Sequence, residues 1–140
     1  MSVNENSQVK ITFLRRARLL KLCPDGWHVP TLNEWITLID YLEGVDVAGG
    51  KLKEKGTTNW ITQNTDATDD FGFAALPGGI RESNAAFNYL EEIGYWWTDT
   101  PNTSGEDYAS HFSMSYNNKG AYYHSHQWTE GLSVRCVKDN

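Results

Sequence analysis

The stretch CPDGWHVPTLNEW, residues 23–35, decides how the chain is read. Cys23-Pro24-Asp25-Gly26 places proline where a type I turn wants a fixed φ and glycine at its exit, so the segment opens on a tight turn. Val29 precedes Pro30 and must be extended. Thr31-Leu32-Asn33-Glu34 then has the spacing of a capping box, in which the Thr hydroxyl and the Glu carboxylate each accept from an otherwise orphaned amide. A helix therefore starts here. Leu32, Trp35, Ile36, Ile39 and Leu42 recur at steps of three and four, one apolar stripe carried by Trp35 and Ile39, and Gly44 is a good stop. Such a stripe belongs to a core.

A second short helix is expected over Ala48 to Lys55, bracketed by glycines in GGKLKEKG. From Trp60 onward no helical pattern appears. FGFAALPGG reads as a short buried strand running into a turn, and IGYWWTDT, YASHFSMSY, GAYYHSHQW and LSVRCVK follow as four strand-like runs separated by Gly, Asn, Pro and Asp. Helices first and then an antiparallel meander make an α+β domain. Residues 1–22 are set apart as an N-terminal arm, partly disordered or forming a lone strand or helix, and residues 23–140 form the domain.

Period-two alternation assigns faces. Phe112, Met114 and Tyr116 share one, and Leu132, Val134 and Cys136 share another, so Cys136 points into the core. Cys23, beside the first helix, is the one available partner among two cysteines, and a bond between them would close a loop across the whole domain. Two separately buried thiols are the alternative, since free cysteine packs as a small hydrophobe.

The formal net charge is −6, but residues 1–21 carry five Lys and Arg against Glu5 alone, net +4, which leaves −10 for the rest. A body that acidic repels phosphate backbones, so nucleic acid is not an expected partner. No apolar run approaches the roughly 20 residues that span a bilayer. FLRRARLLKLC sets basic residues before a cysteine, yet charges interrupt its apolar stretch and Leu22 fills a position that needs a small residue, so no working signal peptide is read in this chain.

CPDGWHVPTLNEW, DDFGFAALPGG, GYWWTDT and GLSVRCVKD, in that order, closely resemble the Fibrobacter succinogenes major paralogous domain, a family common in Bacteroidetes and usually found in exported proteins. The family resembles C-type-lectin-like folds, including formylglycine-generating enzymes. The resemblance implies two helices packed on a small, strongly twisted antiparallel sheet with long loops, and an exported or cell-surface location.

Enzymatic chemistry of the formylglycine-generating kind needs redox-active cysteines at a groove, and Cys23 and Cys136 occupy framework positions, so no catalytic residue and no cofactor are assigned. His124 and His126 would share a strand face as zinc ligands can, but no third ligand is identifiable, and no metal is assigned. The calcium-dependent sugar sites of C-type lectins have weak counterparts in Thr100-Pro101-Asn102 and Trp128-Thr129-Glu130, each short of the acidic or Asn-Asp ligands. Asp66, Asp69 and Asp70 could collect calcium, or serve as turn residues.

What remains is surface chemistry. Residues 87–128 hold eleven of the eighteen aromatics, too many for one core, and in the pairs Trp96-Trp97 and Tyr122-Tyr123 strand geometry sends one ring inward and the other outward. Trp97, Asn117, Asn118, Tyr122, His124 and Trp128 are the candidate ligand contacts, since flat apolar rings edged by hydrogen-bonding groups suit a sugar or a protein. The expected function is a non-catalytic carbohydrate-binding or protein-binding module. A display scaffold of C-type-lectin-like fold, varied over 114–128, is the alternative.

Overall fold

Thr31 and Glu34 build the box their spacing predicts. The structure, a computed structural model, describes residues 12–13, 22–101 and 108–140. Glu34 N donates to Thr31 Oγ1 at 3.2 Å, and Thr31 N donates to Glu34 Oε2 at 2.9 Å. From this cap α1 runs Leu32–Tyr41. It closes with Gly44 N donating to Ile39 O and Glu43 N to Asp40 O, the paired bonds of a Schellman turn. Glu43 supplies the left-handed residue, at φ 75°, one position before the glycine read as the stop.

The second helix, α2, is Ala48–Leu52 and shorter than expected. Lys53 turns extended and pairs with Ala75 in a parallel bridge, which ends it. Gly49 and Gly50 are needed in α2, because a Cβ on either would run into the carbonyl of Gly120 or of Asp66.

The strands are β1 (Thr12–Phe13), β2 (Trp27–His28), β3 (Ile80–Arg81), β4 (Phe87–Asn88), β5 (Ile93–Pro101), β6 (Tyr108–Ser115), β7 (Tyr122–Gln127), β8 (Gly131–Leu132) and β9 (Val137–Lys138). They form three antiparallel sheets, ordered β1-β8-β3-β4, β2-β9 and β5-β6-β7. Of the arm expected over residues 1–22, Thr12 and Phe13 pair with Leu132 and Gly131. Apart from these two and Leu22, that expectation lies outside the described residues.

This corrects the expected α+β, C-type-lectin-like arrangement of two helices on one small sheet. The described fold is mostly β, with helices of 10 and 5 residues beside three sheets. The reason lies in the backbone between Lys53 and Ile80. Gln63, Asn64, Asp66, Asp69, Gly72, Ala74 and Gly79 all take positive φ there, which neither helix nor strand tolerates in series. FGFAALPGG accordingly yields one bridge at Ala75 instead of a strand, and LSVRCVK divides into β8 and β9.

Two apolar clusters cover opposite faces of β5 and β6. On one, Trp35 of α1 stacks on Phe112 at 5.1 Å and meets Phe73 edge-on at 5.8 Å, with Ile39, Leu42, Trp96 and Met114 around them. Val29, Ile80, Trp97, Ala109 and Leu132 form the other. Trp96 and Trp97 are therefore both buried, at 3% and 0% exposure, against the expectation that one faces out. Tyr122 and Tyr123 break the same expectation in the other sense, at 37% and 53%, because β7 is the edge strand.

Cys23 and Cys136 are disulfide-bonded, with Cα atoms 5.8 Å apart and a sequence separation of 113. The bond sits beside the β2–β9 pair. There the His28 ring bridges Asp139 Oδ1, 2.6 Å from Nδ1, and Glu34 Oε1, 2.9 Å from Nε2. The hydrogen bond with Asp139 raises the His28 pKa, burial opposes it, and Glu34 adds to the rise. The start of α1 is thus tied to the last strand by a covalent bond and by an ionisable one.

Candidate ligand-binding face

The register of the β5-β6-β7 sheet puts Trp97 opposite His111, and His111 opposite His124. Side chains two residues apart share a face, so Tyr95, Tyr122 and His126 belong with them. β7 has β6 as its strand neighbour on one side and, among the described residues, none on the other. Tyr122, Tyr123, His124 and Gln127 are exposed on this six-residue strand, a length of about 20 Å, while Ser125 and His126 are partly buried.

Of the six expected contacts, Trp97 has to be withdrawn from the surface. Its indole is fully buried, 5.4 Å from Trp128 and 6.3 Å from His111, so it backs the face from within. Trp128 is half-buried against it, and His124 is exposed 6.0 Å from His111. Asn117, Asn118 and Tyr122 gather at the other end of β7. Asn117 Oδ1 accepts from Ser115 Oγ at 2.9 Å, and Asn118 Oδ1 accepts from Gly120 N at 2.9 Å, so both build the turn that leads into the strand. The Tyr122 ring lies over Gly120, where a Cβ would collide with it.

The middle of the face is an imidazole cluster in which His111, the member sequence reading missed, joins His124 and His126. His111 is 1% exposed, with ring centroids of His126 at 4.7 Å and His124 at 6.0 Å. Tyr95 lies 5.7 Å from His111 and 6.0 Å from His126, and leads outward to Tyr89 at 6.4 Å. Glu130 hydrogen-bonds His126 Nδ1. Burial, reinforced by His126 and His124, pushes His111 down to about 3, so it is a neutral ring. Burial also pushes the Tyr95 phenol up to about 12, helped by Tyr89, Glu130 and Glu82. The result is a wall of rings with uncharged His111 and Tyr95 at its centre and one carboxylate, Glu130, at its rim. His111 was legible as part of a strand, but its alignment with His124 depends on the hairpin register, which no local pattern sets.

Among the described residues, no three His, Cys, Asp or Glu side chains come together in a way that could hold a metal ion. His124 and His126 lie on one face as expected, but the nearby carboxylate, Glu130, is already engaged with His126. In the acidic loop Asp69 Oδ1 accepts from Ala74 N at 2.8 Å, and Asp66 lies 4.0 Å from Lys119 Nζ. Those two carboxylates serve turn geometry and local charge balance.

The family model of the Fibrobacter succinogenes major domain matches residues 8–138, and the chain belongs to that family. The match begins inside the segment set apart as an arm. No curated protein and no solved structure matches the chain.

Proposed function

We propose that this domain is a non-catalytic binding module of an exported or cell-surface bacterial protein, and that it holds a glycan along β7. The observation that carries the reading is the row of Tyr122, His124 and His126 on an edge strand, continued by Trp128 in the turn after it and backed by Tyr95, Trp97 and His111. Flat rings stack on the apolar faces of sugars, while imidazole, phenol and carboxylate groups at their edges meet hydroxyls. About 20 Å of strand matches an extended ligand better than a single ring. Both cysteines are committed to the disulfide, which supports the non-catalytic reading against one that needs a free thiol.

Glycan-array screening followed by calorimetry tests this, with Tyr122→Ala plus His124→Ala as the variant. Losing two ring contacts of about 0.5–1.5 kcal/mol each predicts a roughly fivefold to hundredfold weaker Kd. Affinity within twofold of the parent would place the ligand elsewhere. The edge of β7, which has no strand partner among the described residues, favours a second reading, a protein ligand joined by strand addition. Main-chain bonds would carry such a complex, so it would survive the double variant.

The display-scaffold alternative is not carried forward. It leaned on the C-type-lectin-like arrangement, and within 114–128 Met114, Gly120 and Ala121 are buried, which restricts variation there.

A further inference from the structure

Lys53 is fully buried, an unusual place for a lysine. Its Nζ donates to three main-chain carbonyls, Asn118 O at 2.8 Å, Ser115 O at 2.9 Å and Thr65 O at 3.0 Å, and lies 5.5 Å from the centre of the Trp60 ring. An ammonium has three protons, and here each has an acceptor. Two of those carbonyls, on Ser115 and Asn118, flank the start of the turn from β6 to β7, and the third comes from the acidic loop.

Other bonds knit the same turn to α2 and its neighbours. Gly50 N donates to Lys119 O, Thr65 N to Tyr116 O, and Ala121 N to Val45 O. Gly120, whose bare Cα gives the Tyr122 ring its place, sits at the end of this turn. We propose that the Lys53 ammonium is a built-in cation that holds the 116–121 turn, and with it Tyr122 and the near end of the ligand face, in one geometry. The second half of this rests on the ligand-face reading.

The chemistry is that of a cation bound by carbonyl oxygens, with the ion delivered by a side chain. A small primary ammonium ion should therefore be able to replace it if the tether is cut. The charged group acting on it is Asp66, which favours the cation and itself lies 4.0 Å from Lys119 Nζ. Burial lowers the Lys53 pKa to about 8, and the three carbonyls act against deprotonation.

The test is Lys53→Ala in the whole domain, with amide hydrogen exchange read at Gly50, Thr65, Gly120 and Ala121. Each hydrogen bond holding the turn contributes about a tenfold factor in local opening. Exchange at these amides should rise by at least about tenfold in Lys53→Ala and fall back with ethylammonium chloride, but not with tetramethylammonium chloride of equal ionic strength. Unchanged exchange in a folded variant, or equal rescue by both salts, would overturn the proposal.

If Lys53→Ala does not fold, the wild-type chain decides. Its Gly120 and Ala121 amide shifts should titrate with the Lys53 side-chain shift above pH 7, and amide shifts that ignore that titration would overturn it. A glycan bound by the parent should bind Lys53→Ala more weakly and recover with ethylammonium. A turn that loosens without loss of affinity refutes the link to the ligand face. A parent that binds no glycan refutes the proposed function and leaves the exchange result to decide the cation's role.

Discussion

His111 makes the domain acid-sensitive in a way that one substitution should remove. Its ring is buried at 1% exposure, Nδ1 has no hydrogen-bond partner, and its pKa is pushed from 6.5 down to about 3 by burial, with His126 and His124 adding to it. A depressed folded pKa means that the unfolded chain binds the proton more readily. The contribution to stability is therefore fully present above pH 6.5 and is lost as pH falls towards 3. At 1.36 kcal/mol per pH unit, the loss between pH 6.5 and pH 5 is about 2 kcal/mol, and the whole span is worth about 5 kcal/mol.

The wild-type pH profile cannot be read alone, because His28 works in the opposite sense. Its folded pKa is raised, so its contribution is complete below pH 6.5 and is lost as pH rises through the folded value. The comparison is wild type against His111→Leu, which keeps an apolar side chain of similar volume and removes the titrating ring. Urea unfolding followed by tryptophan fluorescence at pH 7, 6 and 5 gives the difference. The wild type should lose about 2 kcal/mol relative to His111→Leu between pH 7 and 5. Parallel profiles would show that His111 is hydrated or paired in solution and that the imidazole cluster is not closed.

Trp35→Ala removes the ring around which Phe73, Trp96 and Phe112 pack, and should cost about 3–5 kcal/mol in the same assay; an unchanged midpoint would mean that the helix does not seat there. Reducing the Cys23–Cys136 bond opens a loop of 113 residues and should lower stability by up to about 5 kcal/mol, whereas two alkylatable thiols in unreduced, denatured protein would contradict the bond itself. Ligand affinity should be unchanged by EDTA, since Asp69 is spent on Ala74 N and Asp66 lies beside Lys119; a loss on chelation would move the site to the acidic loop.

The start of α1 was legible because its signals are local. A capping box needs four residues, an apolar stripe needs about ten, and both were in view in CPDGWHVPTLNEW and the residues after it. The β5, β6 and β7 runs were legible for the same reason, as alternation separated by turn formers. The loop between Lys53 and Ile80 was not. Its positive-φ residues are mostly Gln, Asn, Asp and Ala, which take that conformation only because contacts made elsewhere, such as Asn64 Nδ2 to Glu54 O and Asp69 Oδ1 to Ala74 N, hold them in it.

Parity along a strand says which side chains share a face, and leaves open what lies over that face. Trp96 and Trp97 have opposite parity and both are buried, because Val29, Ile80 and Leu132, from three distant parts of the chain, cover the side of β5 that α1 does not. Tyr122 and Tyr123 have opposite parity and both are exposed, because among the described residues β7 has a strand neighbour on one side alone. Place in the sheet decided the outcome in each case, which is why Trp97 left the candidate face while His126 and Tyr95 joined it. Lys53 shows the same limit for charge. In GGKLKEKG it is one of three lysines with nothing local to set it apart, and it is buried because α2 stops at Leu52 and three carbonyls from segments 12 to 65 residues further on converge on its ammonium. A residue whose burial is made tolerable by partners so remote leaves no local trace. The covered back of the candidate face and the buried Lys53 beside its turn were therefore the features the sequence could not display.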